Sequence, residues 1–183
     1  MQAVLNLAWE KLLPAMQARP LHGDAAAHEK LKKRLAALRV RPMPGQSTSP
    51  VAAAVSGKRH IFPENPRGIE SVAVEFGGDA AALVVRTPRG ESRIACGAGD
   101  WRKGRSNFVN GLEGRLLPPG EHAIAASGAW TADNAYSVKL CLTETPFCSR
   151  LVFQFNGEEL LFDSEYNVAF GPTTMPRLVG RRQ

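Results

Sequence analysis

The feature that most constrains how this chain can fold is a run of alternating side chains between residues 120 and 165. Tyr136, Val138, Leu140 and Leu142 alternate with Ser137, Lys139, Cys141 and Thr143. Successive side chains on a strand point to opposite faces, so this segment reads as a strand with one apolar face. Leu151, Phe153 and Phe155 share one face of the next strand, and Asn156-Gly157 follows them. Asn-Gly is a strong hairpin signal, because both residues accept a positive φ. A two-residue turn there predicts the pairs Phe155–Glu158, Phe153–Leu160 and Leu151–Phe162. An earlier turn around Glu144-Thr145 predicts Val138 opposite Leu151 and Tyr136 opposite Phe153. The neighbouring antiparallel strands then share two rows, Tyr136–Phe153–Leu160 and Val138–Leu151–Phe162, and such cross-strand rows are what stabilise a sheet. The same register sets Cys141 opposite Cys148. Two free thiols are expected there, with a cross-strand disulfide as the alternative.

A second hairpin follows the same logic. A turn at Gly78-Asp79 pairs Val74 with Leu83 and Val72 with Val85. Further strands are expected at about 52–62, 91–96 and 121–128, and 97–119 reads as a long loop with room for one short strand. The count is about eight. With short connections throughout, the expected fold is mainly β: an antiparallel up-and-down β-barrel preceded by two N-terminal helices. The first helix carries Val4, Leu5, Ala8, Trp9, Leu12, Leu13 and Met16 at helical spacing and is interrupted near Leu13 by Pro14. The second begins at Asp24 as N-cap, shows Leu31, Leu35 and Leu38 on one stripe, and ends by Pro42. Residues 42–50 (PMPGQSTSP) read as a linker. The expected organisation is therefore a helical segment (1–41), a linker (42–50) and a β-barrel domain (51–183).

The chain has 183 residues and a net charge of +6. That length is enough for one ordinary core. No apolar run reaches the length of a membrane span. No signal peptide is visible, and a cytoplasmic location is favoured over a periplasmic one. Lys30, Lys32, Lys33, Arg34, Arg39 and Arg41 cluster, but without interleaved aromatic side chains, so they read as a solvated helix face and no nucleic-acid partner is expected. The three cysteines and four histidines show no ligand spacing, and no metal or other cofactor is expected.

The stretch Gly97-Ala98-Gly99-Asp100-Trp101-Arg102-Lys103-Gly104 lacks the spacing of a phosphate-binding loop. It reads as a turn capped by Trp101. No serine has a lysine three residues on, no Lys-Thr-Gly or Gly-x-Ser-x-Gly occurs, and no catalytic residue is assigned.

Several short segments resemble the region that follows the catalytic domain in bacterial serine hydrolases of the beta-lactamase and penicillin-binding-protein-like superfamily. They are Asn6 to Met16 (NLAWEKLLPAM), Val55 to Lys58, Cys96-Gly97 through Trp101, Ala129-Trp130-Thr131, Glu144 to Phe147 and Asn167 to Gly171. The resemblance implies a C-terminal accessory region with a lipocalin-like barrel. Its partner would be the catalytic domain of the same parent chain, where the family's serine and lysine lie. No position here matches those two residues.

Three roles follow. The leading one is a non-catalytic accessory domain that stabilises a hydrolase or shapes its substrate entrance. The second is a small apolar ligand-binding barrel, with Tyr136, Phe153, Phe155 and Phe162 lining a cavity and Trp130 at its mouth; the same side chains would otherwise fill a solid core. The third is an association module, with Trp9, Leu12, Leu13 and Met16 as an apolar stripe for the missing domain or for a second copy in a homo-oligomer.

Overall fold

The computed structural model describes every residue except Met1, Leu21, Asp79, 113–115 and Phe170. It divides into two units, residues 1–40 and 41–183. In the first, α1 (Gln2–Leu7) passes into a π-helical turn (Ala8–Leu12) and a 3-10 turn (Leu13–Ala15). Pro14 has no N–H to donate up the helix, so the pitch changes where the sequence predicts an interruption. The second helix, α2 (Ala25–Ala36), starts on Asp24, whose Oδ1 accepts from Ala27 N at 2.9 Å. It ends at Ala36, short of the expected stop at Pro42.

The second unit is a sheet of ten strands among the described residues. They are β1 (His60–Ile61), β2 (Ser71–Gly77), β3 (Ala80–Thr87), β4 (Gly90–Gly97), β5 (Arg102–Ser106), β6 (His122–Ala132), β7 (Ala135–Leu142), β8 (Cys148–Asn156), β9 (Glu159–Tyr166) and β10 (Thr174–Arg182). Consecutive strands pair antiparallel from β1 to β4 and from β5 to β10, and β1 pairs with β10. A parallel bridge between Gly97 of β4 and Ser127 of β6 closes the ring. The fold is thus a closed β-barrel, but with more than eight strands and a mixed rather than purely antiparallel sheet.

Two differences in strand content have plain causes. Residues 52–62 hold only the two-residue β1, because the alanine run Ala52–Val55 forms a helical turn, α3. The whole of β10 is unannounced in the sequence: Pro176 lies in it, a bulge falls between Met175 and Leu178, and Arg177, Arg181 and Arg182 are among its exposed residues. Residues 42–50 do not hang free as a linker. Gln46 and Trp130 exchange two backbone hydrogen bonds (2.8 and 2.9 Å), and Met43 N donates to Ser127 Oγ at 3.1 Å, so this segment lies along β6.

The expected registers of β2–β3 and β7–β8 are observed: Val74 faces Leu83, Val72 faces Val85, Tyr136 faces Phe153 and Val138 faces Leu151. Asp79 of the first turn lies outside the described residues. Cys141 faces Cys148 as expected, but the two are joined in a disulfide, which corrects the expectation of free thiols. Directly opposed positions bring their Cα atoms to 4.1 Å. The β8–β9 register is shifted by two residues from the expectation: Phe155 faces Leu160, Phe153 faces Phe162 and Leu151 faces Ser164. The turn is Gly157-Glu158, with Gly157 at φ +63°, so glycine alone takes the left-handed conformation and Asn156 stays in the strand. A shift of two keeps every side chain on its face, so the apolar side still points inward.

The interior is filled. Leu83, Val72, Val138, Leu151, Phe153, Leu160 and Phe162 expose none of their surface. One barrel end is closed by Phe76, Trp130, Tyr136 and Phe155, with Phe76 4.7 Å from Trp130 and 4.9 Å from Tyr136 between ring centroids. At this end Tyr136 Oη lies where a Cβ on residue 128 would fall, so only glycine fits there.

Candidate functional site

The opposite barrel end is shaped by two tight turns. The first is Asn65-Pro66-Arg67-Gly68, closed by Gly68 N donating to Asn65 O at 2.9 Å. Proline in the second position fixes φ, and glycine in the fourth accepts φ +62°. Asn65 Oδ1 accepts from Arg67 N and Ile69 N, both at 3.2 Å, and its Nδ2 donates to Pro63 O and Ile69 O at 2.8 Å. The turn is therefore pinned by its own first residue. The second turn is Val109-Asn110-Gly111-Leu112, closed by Leu112 N on Val109 O at 3.2 Å. Its central residues take φ +53° and +86°, and asparagine is among the few residues that tolerate this.

These turns bring Arg67 and Asn110 together. Arg67 Nη1 donates to Ser164 Oγ at 2.8 Å and to Asn110 Oδ1 at 3.4 Å, and Nη2 donates to Pro176 O at 3.0 Å. The guanidinium carbon sits 4.7 Å above the centre of the Phe162 ring. Tyr166 donates its hydroxyl to Asn110 O. Arg67 is half-buried, and burial holds its pKa below the ordinary arginine value, with Tyr166 and Asp163 pulling the other way. Arginine stays charged under such a shift. Asn110 is fully buried, and its Nδ2 has no hydrogen-bond partner among the described residues.

A cleft of about 560 Å³ opens over this pair. Pro66, Pro88, Phe108, Val109 and Met175 supply apolar walls, and Arg67, Thr87, Arg89, Asn107 and Asn110 supply polar groups. An apolar wall with a few convergent polar groups, at this volume, is what small-molecule sites share.

The residues expected to line a ligand cavity lie elsewhere. Phe153 and Phe162 stack at 4.8 Å with no exposed surface, so they occupy the middle of the barrel. Tyr136, Phe155 and Trp130 belong to the aromatic cluster at the far end, where Trp130 is 5.4 Å from Tyr136 and 5.9 Å from Phe155. Only Phe162 touches the new site, as the platform beneath Arg67. Trp9, Leu12, Leu13 and Met16 are all exposed. Trp101 lies under Lys139, whose Nζ is 5.9 Å from the ring centre. Among the described residues no cluster of histidine, cysteine or carboxylates could hold a metal, and no helix is long and apolar enough to cross a membrane.

Arg67 and Asn110 were not singled out in the sequence. The dipeptides Asn65-Pro66 and Asn110-Gly111 do signal turns there. Nothing local says that the two turns meet.

No family model matches this chain, and no curated protein matches it. Solved structures similar to it include a fatty acid-binding protein from the brain tissue of Drosophila melanogaster, at TM-score 0.46 and 13% identity over 69% of this chain and 98% of that one. A secretary abundant heat soluble (SAHS) protein from Ramazzottius varieornatus has TM-score 0.47 and 12% identity, over 76% of this chain and 98% of that one. A fatty acid transporter mutant has TM-score 0.43 and 14% identity, over 70% and 98%. The barrel assignment rests on the strand pairings of this chain itself. None of the comparisons brings support for a beta-lactamase-like parent or partner domain.

Proposed function

We propose that this chain is a non-catalytic binding barrel that takes a small organic ligand in the cleft at its Arg67 end. The observation that carries the reading is the make-up of the Arg67 cleft. The barrel middle is filled, whereas its Arg67 end keeps a cleft of about 560 Å³ with a half-buried guanidinium and other polar groups set in an apolar wall. Hollows of about 510 and 380 Å³ flank residues 41–49 and 128–133, but they hold no half-buried arginine. The ligand-binding role is thus kept, but its seat moves from the barrel axis to one rim. The accessory role in a hydrolase has only the short motifs of the resemblance behind it. The test is an NMR titration of the isotope-labelled full chain with a chemically diverse fragment library. Hits should shift the amides of residues 67–68, 87, 89 and 107–111. A library that leaves all of these unmoved, at millimolar fragment, refutes the reading.

A second role, self-association, is supported by the exposed stripe of Trp9, Leu12, Leu13 and Met16, of which Trp9, Leu12 and Met16 are each at least two-thirds exposed. Light scattering should give more than one chain per particle, and a Trp9→Ser, Leu13→Ser double variant should return a monomer. A monomeric parent chain excludes this role.

A further inference from the structure

We propose that the cleft recognises an organic anion, a carboxylate or phosphate head on a short apolar body, through the Arg67 guanidinium and the Asn110 side-chain amide. This rests on the reading of the cleft as a small-molecule site, and adds the chemical class of the ligand.

The first ground is the state of the guanidinium. All three acceptors that Arg67 reaches, Ser164 Oγ, Asn110 Oδ1 and Pro176 O, are neutral. A guanidinium has five N–H donors. Two of its bonds use Nη1 and one uses Nη2, which leaves Nε–H and one N–H of Nη2 without an acceptor in these contacts. Two neighbouring donors in a planar fork match a carboxylate or phosphate edge. Among the described residues, the nearby carboxylates are committed elsewhere. Asp163 is held by Arg177 at 2.8 and 2.7 Å, Glu70 pairs with Arg86, and Glu91 pairs with Arg59. No carboxylate lines the cleft among its described residues.

The second ground is Asn110. A fully buried amide without a partner is rare in folded proteins, and each instance calls for an explanation. Here the amide belongs to a residue that lines the cleft and is held in a left-handed conformation between Tyr166 and Arg67. Nδ2 is closed to solvent in the free chain, so a ligand oxygen would become its acceptor with a small side-chain shift at the cleft floor. The third ground is the setting. Phe162 lies beneath the guanidinium, and Phe108 and Val109, both buried, line the same cleft. A charged hydrogen bond competes less with water in such surroundings.

Calorimetric titration of the full chain with four probes that share one body tests this: 3-phenylpropanoate, 3-phenylpropyl phosphate, 3-phenylpropan-1-ol and 3-phenylpropylammonium. At least one anion should bind about tenfold or more tighter than the alcohol, and the ammonium more weakly than the alcohol. The tighter of the two anions identifies the head group. In Arg67→Gln, anion affinity should fall to that of the alcohol, with the alcohol unchanged within about twofold. Asn110→Asp keeps the side-chain shape and the tolerance of positive φ, and should lower anion affinity alone, which guards against an Arg67 variant that fails to fold. If the alcohol binds the wild-type chain as tightly as both anions, the anion assignment falls and small-molecule binding stands. If no probe binds and the fragment library leaves the cleft unmoved, both fall. Equal anion affinity in the wild type and Asn110→Asp overturns the role of the amide.

Discussion

Replacing Phe153 by alanine tests whether the barrel is solid, the ground for proposing a ligand site at the rim rather than along the axis. Phe153 exposes no surface, stacks on Phe162 at 4.8 Å with 17° between ring planes, and faces Tyr136 across the neighbouring strand. In a filled core, truncation to alanine removes the transfer free energy of the ring and leaves a cavity whose walls cannot fully collapse, together about 3–5 kcal/mol. The lost aromatic pair accounts for about 0.5–1.5 kcal/mol of that. In a barrel with an open middle, the ring would have neighbours on one side only and the void would already exist. The cost would then stay below about 2 kcal/mol. Urea unfolding, read by tryptophan fluorescence and far-UV circular dichroism, measures the difference. At about 2–4 °C per kcal/mol for a unit of this size, the melting temperature should drop by roughly 6–20 °C. Trp9→Ala, at a residue 67% exposed, serves as control and should cost about 0.5 kcal/mol or less. A cost below about 2 kcal/mol for Phe153→Ala would refute the solid barrel and reopen the axis as a binding site.

Other perturbations have equally definite outcomes. Gly128→Ala would drive a Cβ into Tyr136 Oη, and should cost about 1–3 kcal/mol in chemical denaturation as the ring is displaced. Asn110→Ala should cost about 1–2 kcal/mol, because alanine at φ +53° is strained and the bond to Arg67 is lost; an unchanged denaturation midpoint would argue against the turn. His60 is buried, and desolvation, aided by Arg182, holds its pKa below 6.5 against the opposing pull of Lys58 and Glu158. The native state then binds fewer protons than the unfolded one. Its contribution to stability is complete above pH 6.5 and is lost as pH falls through the lower folded value, and His60→Phe should flatten this acid limb in denaturation curves taken on either side of it. Burial pushes the Cys96 thiol up to about 12, and Cys141 is bonded to Cys148, so a disulfide-exchange reagent should label no thiol in the native chain and one after unfolding without reductant.

The parts of the fold legible in the sequence are those fixed by short-range physics. Alternation assigned the inward faces of β7, β8 and β9, and two of three hairpin registers followed from turn residues within the hairpin itself. The third shifted by two residues because either Asn156-Gly157 or Gly157-Glu158 can supply the one left-handed position that a turn needs. The strand β10 stayed hidden because its pairing partners, β1 and β9, satisfy its backbone whatever its side chains suggest, and tertiary pairing overrides a proline and three exposed arginines. The segment 42–50 has the composition of a linker, yet β6 offers backbone groups to pair with, and Gln46 takes them.

The candidate site divides the same way. Its two turns are written locally, in Asn65-Pro66-Arg67-Gly68 and Val109-Asn110-Gly111-Leu112, because proline, glycine and asparagine set backbone angles by their own covalent structure. Local sequence also made the side chains of the barrel interior apolar. It did not decide whether those side chains would line a space or fill it, since that depends on how many strands close the ring and how the rings of Phe153 and Phe162 stack within it. Nor did it join Arg67 to Ser164, which stand 97 residues apart and meet only once the barrel has closed. Alternation and turn chemistry are carried by neighbours in the chain, and so the sequence alone determined a barrel of inward-facing apolar strands. The charge at its rim is a matter of distance in space, and only the tertiary structure decided it.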